Sequence, residues 1–257
     1  MQRALITGGT AGIGAAFARA LAERGAHLVL VARDAERLDA AARDLTARHG
    51  IEVETITADL SRREDQQRVA DRLEADPPID VLVNNAGFSV RASLLDPDLS
   101  EHDRGAEVMQ RAVLKLGGAA GRAMTRRGTG HIVNVASASA CVTQNNYSAL
   151  KAWTTNYSES LGVQLRGTGV HVTTLMPGWV RTEFHQRAGI KGSSIPGPLW
   201  LSADQLVAEC LRDMERGRSV SVPSLRWKLI VGGLRMLPRP VIHRLSGLLT
   251  SRRDGER

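Results

Sequence analysis

Residues 4–14 read Ala4-Leu5-Ile6-Thr7-Gly8-Gly9-Thr10-Ala11-Gly12-Ile13-Gly14, and Ala15 to Arg24 then carry apolar residues at helical spacing. A strand that turns through glycine into a helix aims backbone N–H groups and the positive end of the helix dipole at one point, where a pyrophosphate is well held. Glycine at 8, 12 and 14 suits the turn, the close approach of a ligand, and helix-to-strand packing. Such spacing is weak by itself, because tight turns produce it often. The strand before it and the helix after it give it weight.

Outward from this turn, short apolar runs at Leu28 to Val31, Val53 to Ile56, Val81 to Val83, Ile132 to Val135 and Val170 to Leu175 read as buried strands. Helical patterns lie between them, including Ala35 to Arg48 with Asp34 as its cap. The alternation predicts a Rossmann-type, doubly wound parallel sheet with helices on both faces, a three-layer α/β/α arrangement. With 257 residues, 42% of them apolar, one domain over 1–257 is the economical reading.

Composition excludes several function classes. Two cysteines, Cys141 and Cys210, are too few and too far apart for a disulfide framework or a zinc site, so no metal is expected and a cytoplasmic location fits. The N-terminus lacks the pattern of a secretion signal and no stretch has the length of a membrane span. The net charge of +7 is unevenly placed: from Arg216 onward ten Lys/Arg oppose Asp254 and Glu256, giving +8 and leaving 1–215 at about −1. A basic body for nucleic acid is therefore absent, and Trp227 is the one aromatic in the tail, too few for a stacking surface. The tail, about 225–257, mixes apolar residues with Arg226, Lys228, Arg235, Arg239 and Arg244, broken by Pro238 and Pro240. It reads as packing on its own domain or on a dimer partner, with contact to an anionic membrane surface as the alternative.

Tyr147-Ser148-Ala149-Leu150-Lys151 sets a phenol and an ammonium one helical turn apart on one face. A phenol with a pKa near ~10 shuttles protons poorly at neutral pH unless a cation stabilises the phenolate. On an arbitrary helix this pair is surface decoration. Its position after the fifth strand, between an Asn-Asn-Ala-Gly and a Pro-Gly segment, resembles that of the catalytic pair in the family these segments resemble.

Thr7-Gly8-x-x-x-Gly12-Ile13-Gly14 resembles the cofactor fingerprint of the classical short-chain dehydrogenase/reductase family. Asp59-Leu60 resembles its adenine contact, Asn84-Asn85-Ala86-Gly87 its cofactor-lining turn, and Met176-Pro177-Gly178 with Val180 and Thr182 the segment holding the nicotinamide carboxamide. The similarity spans roughly residues 3–184. It implies an oxidoreductase moving hydride between a nicotinamide and a ketone, aldehyde or secondary alcohol. Implied cofactor contacts are Gly8, Thr10, Gly12, Ile13 and Gly14 in the first turn; Asp59, Leu60, Asn85, Ala86 and Gly87 beyond the third and fourth strands; and Tyr147, Lys151, Pro177, Gly178, Val180 and Thr182.

The second strand ends Leu30-Val31-Ala32-Arg33-Asp34. Arg33 favours a 2′-phosphate and hence NADP (NADPH). Thr10 stands where many NADP-preferring relatives carry a second basic residue, and Asp34 would favour NAD, the alternative cofactor, if the register slips by one. The resemblance makes Ser137, at the end of the fifth strand, the residue that hydrogen-bonds the substrate oxygen. It lies ten residues before Tyr147, a shorter connection than the family's usual one, with Ser139 as the fallback. Counting back from Ser137 and matching Met124 puts Met109 where the family has its catalytic asparagine, and methionine cannot hold the relay water by hydrogen bonding. Gln110 helps only after a one-residue register shift.

Residues about 183–201 occupy the place of the family's substrate lid, with Gly189, Gly192, Gly197, Pro196 and Pro198 suited to a mobile closing element. Phe184 and Trp200 there, with Trp179 just before, suggest an apolar pocket wall and a bulky, largely apolar substrate, while core packing accounts for each tryptophan equally well. By the same resemblance the chain forms a homodimer or homotetramer through two long helices beside the middle of the sheet. A fold kept for nucleotide binding or scaffolding without turnover, motivated by Met109, and a peripheral membrane reductase of lipid-like substrates are the competing readings.

Overall fold

The computed structural model describes residues 2–182 and 197–254, without the side chains of 245 and 248–254. The chain alternates β1 (Arg3–Thr7), α1 (Gly12–Ala22), β2 (His27–Ala32), α2 (Ala35–His49), β3 (Val53–Thr57), α3 (Arg63–Glu74) and β4 (Val81–Asn84). It continues through α4 (Ser100–Ala106), a widened π-type turn (Glu107–Arg111), α5 (Ala112–Arg127), β5 (Gly130–Val135), α6 (Asn146–Gln164) and β6 (Val170–Leu175). The described remainder holds β7 (Trp179–Val180), β8 (Trp200–Leu201), α7 (Ala203–Glu215), β9 (Val220–Ser221), α8 (Leu225–Met236) and α9 (Arg239–Asp254).

Seven strands form one parallel sheet in the order β3-β2-β1-β4-β5-β6-β9. Every residue of β1 and β4 is buried, as expected of strands covered on both faces. One face packs α1 and α7 through Phe17, Leu21, Val207 and Leu211. The other packs α3, α5 and α6 through Val69, Leu116, Met124 and Leu161. This is the three-layer Rossmann-type arrangement read from the sequence. The strand order reverses direction between β1 and β4, so a crevice opens beyond their carboxyl ends, and the glycine turn and the Asn85 segment both lie there.

All six expected strands form, each within one or two residues of its expected bounds. The seventh, β9, is two residues long and too short to announce itself; Ser221 Oγ donates to the buried Asp213 of α7 at 2.8 Å and ties it in place. The expected lid falls mostly outside the described residues: 183–196, with Phe184, Gly189, Gly192 and Pro196, lie there. Its described end is a 3-10 turn (Gly197–Leu199) followed by β8, which pairs with β7.

The basic tail folds as α8 and α9, parted at Pro238. Its first helix is part of the body: the Trp227 ring lies so close over Gly178 that a β-carbon there would overlap the indole. Trp227 Nε1 also donates to the Leu199 carbonyl at 3.0 Å. Among the described residues no helix is long and apolar enough to cross a membrane.

Candidate active site

The glycine turn is bolted to the Asn-Asn-Ala-Gly segment. Thr7 Oγ1 accepts from the backbone N–H groups of Asn85 at 2.9 Å and Ala86 at 3.0 Å, and Asn85 Nδ2 donates to the Thr7 carbonyl at 2.9 Å. Thr7 and the Asn85 side chain thus fix the two candidate cofactor stretches against each other, a role for Thr7 that reading its motif as glycines passes over. Gly8 and Gly12 both adopt positive φ, and Thr182 stands 3.2 Å from where a β-carbon on Gly12 would project. The N-terminus of α1 follows Ala11, which supplies no side-chain cap. Its first-turn N–H groups, which an ordinary helix satisfies with Ser, Thr or Asp, are therefore left for an anion. Glycine cradle, uncapped helix and nearby Thr182 fit a dinucleotide.

At the end of β2, Asp34 accepts from the Arg37 backbone N–H at 3.0 Å and caps α2. Beside it Arg33 is exposed and close enough to Asp59 to help hold its carboxyl below the usual range. For Asp59 burial pushes the pKa up, and hydrogen bonds from the Ser61 backbone and hydroxyl, with Arg33 and Arg104, outweigh it. Leu60 is buried in the core at 6% exposure. Arg37, which was not singled out from the sequence, reaches back from α2 to donate to the Thr10 carbonyl at 3.1 Å. A second guanidinium thus lies against the glycine turn, where Thr10 itself supplies no charge.

The catalytic candidates converge at the start of α6. Asn145 caps this helix by accepting from the Ser148 N–H at 3.1 Å, and Ser148 Oγ accepts in return from the Asn145 N–H at 3.1 Å. This reciprocal capping box fixes the first turn, in which Tyr147 sits. Ser137, at the end of β5, hydrogen-bonds the Tyr147 hydroxyl, so the short connection does not keep them apart; a 3-10 turn over Ala138–Cys141 compacts it. Ser137 Oγ also accepts from the Ser139 N–H at 3.1 Å. The fallback Ser139 has its own hydroxyl oxygen buried without a partner among the described residues.

Lys151 is buried, and its Nζ donates to the Val135 carbonyl at 2.7 Å and lies 5.7 Å from the centre of the Tyr147 ring. Burial lowers its pKa to about 8. Burial pushes Tyr147 the other way, up to about 12, against the pull of the Ser137 hydrogen bond. Both shifts have one cause, since a low-dielectric site disfavours whichever form is charged.

Met109 lies in the widened turn and is fully buried. A β-carbon on Gly87 would meet Met109 Sδ at 3.2 Å and Lys151 Nζ at 3.6 Å, so thioether and ammonium share one small space. The π-type turn also presents carbonyls to side chains: Thr154 Oγ1 donates to Met109 at 3.4 Å and Gln66 Nε2 to Glu107 at 3.3 Å. Such turns interrupt helices at functional sites.

An apolar cluster flanks the strand end that carries Ser137. Ala136, Ala138, Met176, Trp227 and Val231 form one cluster against which Trp179 and Leu199 pack. The rings of Trp179 and Trp200 are 6.1 Å apart and tilted by 55°. Val180 is buried beside them and Pro177 accepts from the Ala138 N–H at 2.9 Å, which ties the Pro177-Gly178 segment to the strand end carrying Ser137.

The family model described as short chain dehydrogenase matches residues 2–191. A short-chain dehydrogenase from Sphingobium yanoikuyae, solved in complex with NADPH, superposes with a TM-score of 0.84 at 34% identity, covering 91% of this chain and 94% of that one. A very-long-chain 3-oxoacyl-CoA reductase of Anas platyrhynchos is 35% identical over 190 residues, 70% of this chain and 60% of that protein's length. A gluconate 5-dehydrogenase of Gluconobacter oxydans is 35% identical over 192 residues, 72% of this chain and 73% of that one.

Proposed function

The chain belongs to the short-chain dehydrogenase/reductase family, and we propose that it is an NADP-dependent oxidoreductase of bulky, largely apolar ketones or the corresponding secondary alcohols. The observation that carries this reading is the convergence of Ser137, Tyr147 and Lys151 beside a glycine cradle suited to a dinucleotide. The substrate class rests on this chain's own walls, because relatives at the same 35% identity are named for a very-long-chain acyl-CoA and for gluconate. Among the described residues the half-buried rings of Trp179 and Trp200, packed against a cluster containing Met176 and Trp227, give this side of the site an apolar character that suits a bulky apolar group better than a sugar acid. We place the protein in the cytoplasm as a homodimer whose contact is made by α5 and α6, where Leu114 and Val163 are exposed apolar residues.

In this mechanism a bound NADPH supplies the hydride. Ser137 Oγ–H holds the substrate carbonyl oxygen, and Tyr147 Oη delivers a proton to that same oxygen as the alcohol forms. The protonated ammonium of Lys151 stabilises the phenolate left behind. With its pKa at about 12 in the protein alone, Tyr147 keeps its proton at neutral pH, the state a donor needs. Refilling that proton is where this chain departs from its family, since Met109 offers neither donor nor acceptor of useful strength beside Lys151.

The test of the cofactor is Arg33→Ala. A charge-assisted hydrogen bond to phosphate contributes about 1.5–3 kcal/mol, so the Kd for NADPH should rise roughly 10- to 100-fold while that for NADH stays within a factor of about two. Equal weakening of both would remove Arg33 from the 2′-phosphate.

The pH dependence follows from Lys151. Below about 8 its ammonium is charged and supports the phenolate; as pH rises through that value the charge and the support are lost. Reductive kcat is therefore expected to fall along an alkaline limb near 8. Met109→Asn puts an amide oxygen beside the ammonium, favours the charged form, and moves the limb upward while raising kcat. A profile unchanged by this substitution would separate Met109 from the lysine's protonation.

A further inference from the structure

We propose that the outer face of α8, continued onto the start of α9, docks this protein on an anionic membrane surface. The inference goes beyond the proposed reaction and stands on the tail alone. The inner face of α8 is already occupied, with Trp227 and Val231 buried in the cluster behind the pocket. The opposite face carries Leu225, Leu229 and Met236, which are 72%, 69% and 87% exposed. At 3.6 residues per turn these three fall within about 40° of one another around the helix, so they form one stripe. Leu237 and Val241 carry exposed apolar surface past the break at Pro238 and onto α9.

The stripe cannot turn inward. α8 is held by the Trp227 indole on the Leu199 carbonyl, and α9 is held by Ser246 Oγ, which accepts from the Thr143 N–H at 3.0 Å. Apolar residues that are fixed outward in one row need a partner to cover them.

Charge selects the partner. No Asp or Glu occurs between Arg216 and Arg253, and 216–257 carry +8. Arg239 and Arg244 are exposed on α9 and have no carboxylate partner among the described residues. Lys228, on one flank of the stripe, makes only a 3.7 Å pair with Glu209. A second copy seated here through a two-fold axis would bring this cationic surface against itself. An anionic lipid surface complements it: the leucines and methionine enter the headgroup boundary and the cations reach the phosphates.

The test is co-sedimentation of the full chain with vesicles of phosphatidylcholine alone and of equal parts phosphatidylcholine and phosphatidylglycerol. The protein should pellet with the anionic vesicles, stay in solution with the neutral ones, and be released by high salt. Leu229→Glu combined with Met236→Glu should lower vesicle partitioning at least about tenfold and leave NADPH affinity unchanged, which shows that the fold is kept. A wild-type protein that remains in the supernatant with anionic vesicles at low salt would overturn the proposal, as would a double variant that pellets like the wild type. Light scattering supplies the remaining arm: an oligomer that these two substitutions dissociate, with no vesicle binding by either protein, assigns the stripe to a second copy and overturns the membrane assignment.

Discussion

Replacing Tyr147 by Phe should leave NADPH binding nearly unchanged and reduce turnover of a reducible ketone about a thousandfold or more, equivalent to about 4 kcal/mol of transition-state stabilisation. The substitution removes one oxygen and retains the ring. The ring packs with the cluster beneath β4 and β5, so the fold has no reason to change. What disappears is the hydroxyl that Ser137 hydrogen-bonds. Lys151 remains 2.7 Å from the Val135 carbonyl, charged but with no phenolate to stabilise. The measurement is kcat and KM side by side with the Kd for NADPH. A loss confined to kcat supports proton delivery by Tyr147, whereas a comparable loss in Kd would make the residue a cofactor contact and little more.

The second large effect belongs to Gly14. A β-carbon at this position would overlap the Gly8 carbonyl oxygen and lie within 3 Å of the Gly8 carbonyl carbon, and neither can yield, because Gly8 is held by its N–H to the Val31 carbonyl at 2.7 Å. Gly14→Ala must therefore push α1 away from β1. Overpacking of this kind typically costs about 1–3 kcal/mol, and against backbone the upper end applies, lowering Tm by roughly 6–12 °C at this chain length. The same displacement moves the uncapped first turn of α1, so NADPH binding should be lost with it. Thermal unfolding with and without NADPH reads both: the variant melts lower and gains no stabilisation from cofactor. Stabilisation by NADPH equal to that of the wild type would show that the α1 N-terminus does not hold the pyrophosphate.

The sequence made these two sites legible for different reasons. A buried parallel strand is a continuous apolar run, so Ala4 to Ile6 and Val170 to Leu175 identify themselves, and a glycine needed for close approach stands where no side chain fits. Tyr147 and Lys151 are legible by position, after the fifth strand, rather than by spacing. Asp34 reads from the sequence as the cap of the second helix, and the bond from the Arg37 N–H bears that out, while its bearing on the cofactor turns on one residue of register that no periodicity fixes. Arg37 itself was hidden because its partner is the Thr10 carbonyl, 27 residues away, and a backbone acceptor leaves no mark in composition. The π-type turn at Glu107–Arg111 is likewise silent, since it depends on Gln66 and Thr154 meeting freed carbonyls from other helices. The tail divided cleanly into residues that pack, such as Trp227, and residues that do not, such as Leu229 and Met236. Amphipathic pattern alone gives no such division when both faces of a helix are apolar.

Met109 gives the competing reading its force, because an apolar residue beside the lysine fits a family member that binds cofactor without using it. The measurement that separates the two is single-turnover transfer from NADPH carrying deuterium at the reactive nicotinamide carbon to a panel of bulky apolar ketones. Deuterium is expected on the carbinol carbon of the alcohol product in the wild type, with transfer at least about a thousandfold slower in Tyr147→Phe. Tight NADPH binding with no deuterium delivered to any ketone of the panel would contradict the proposed reaction.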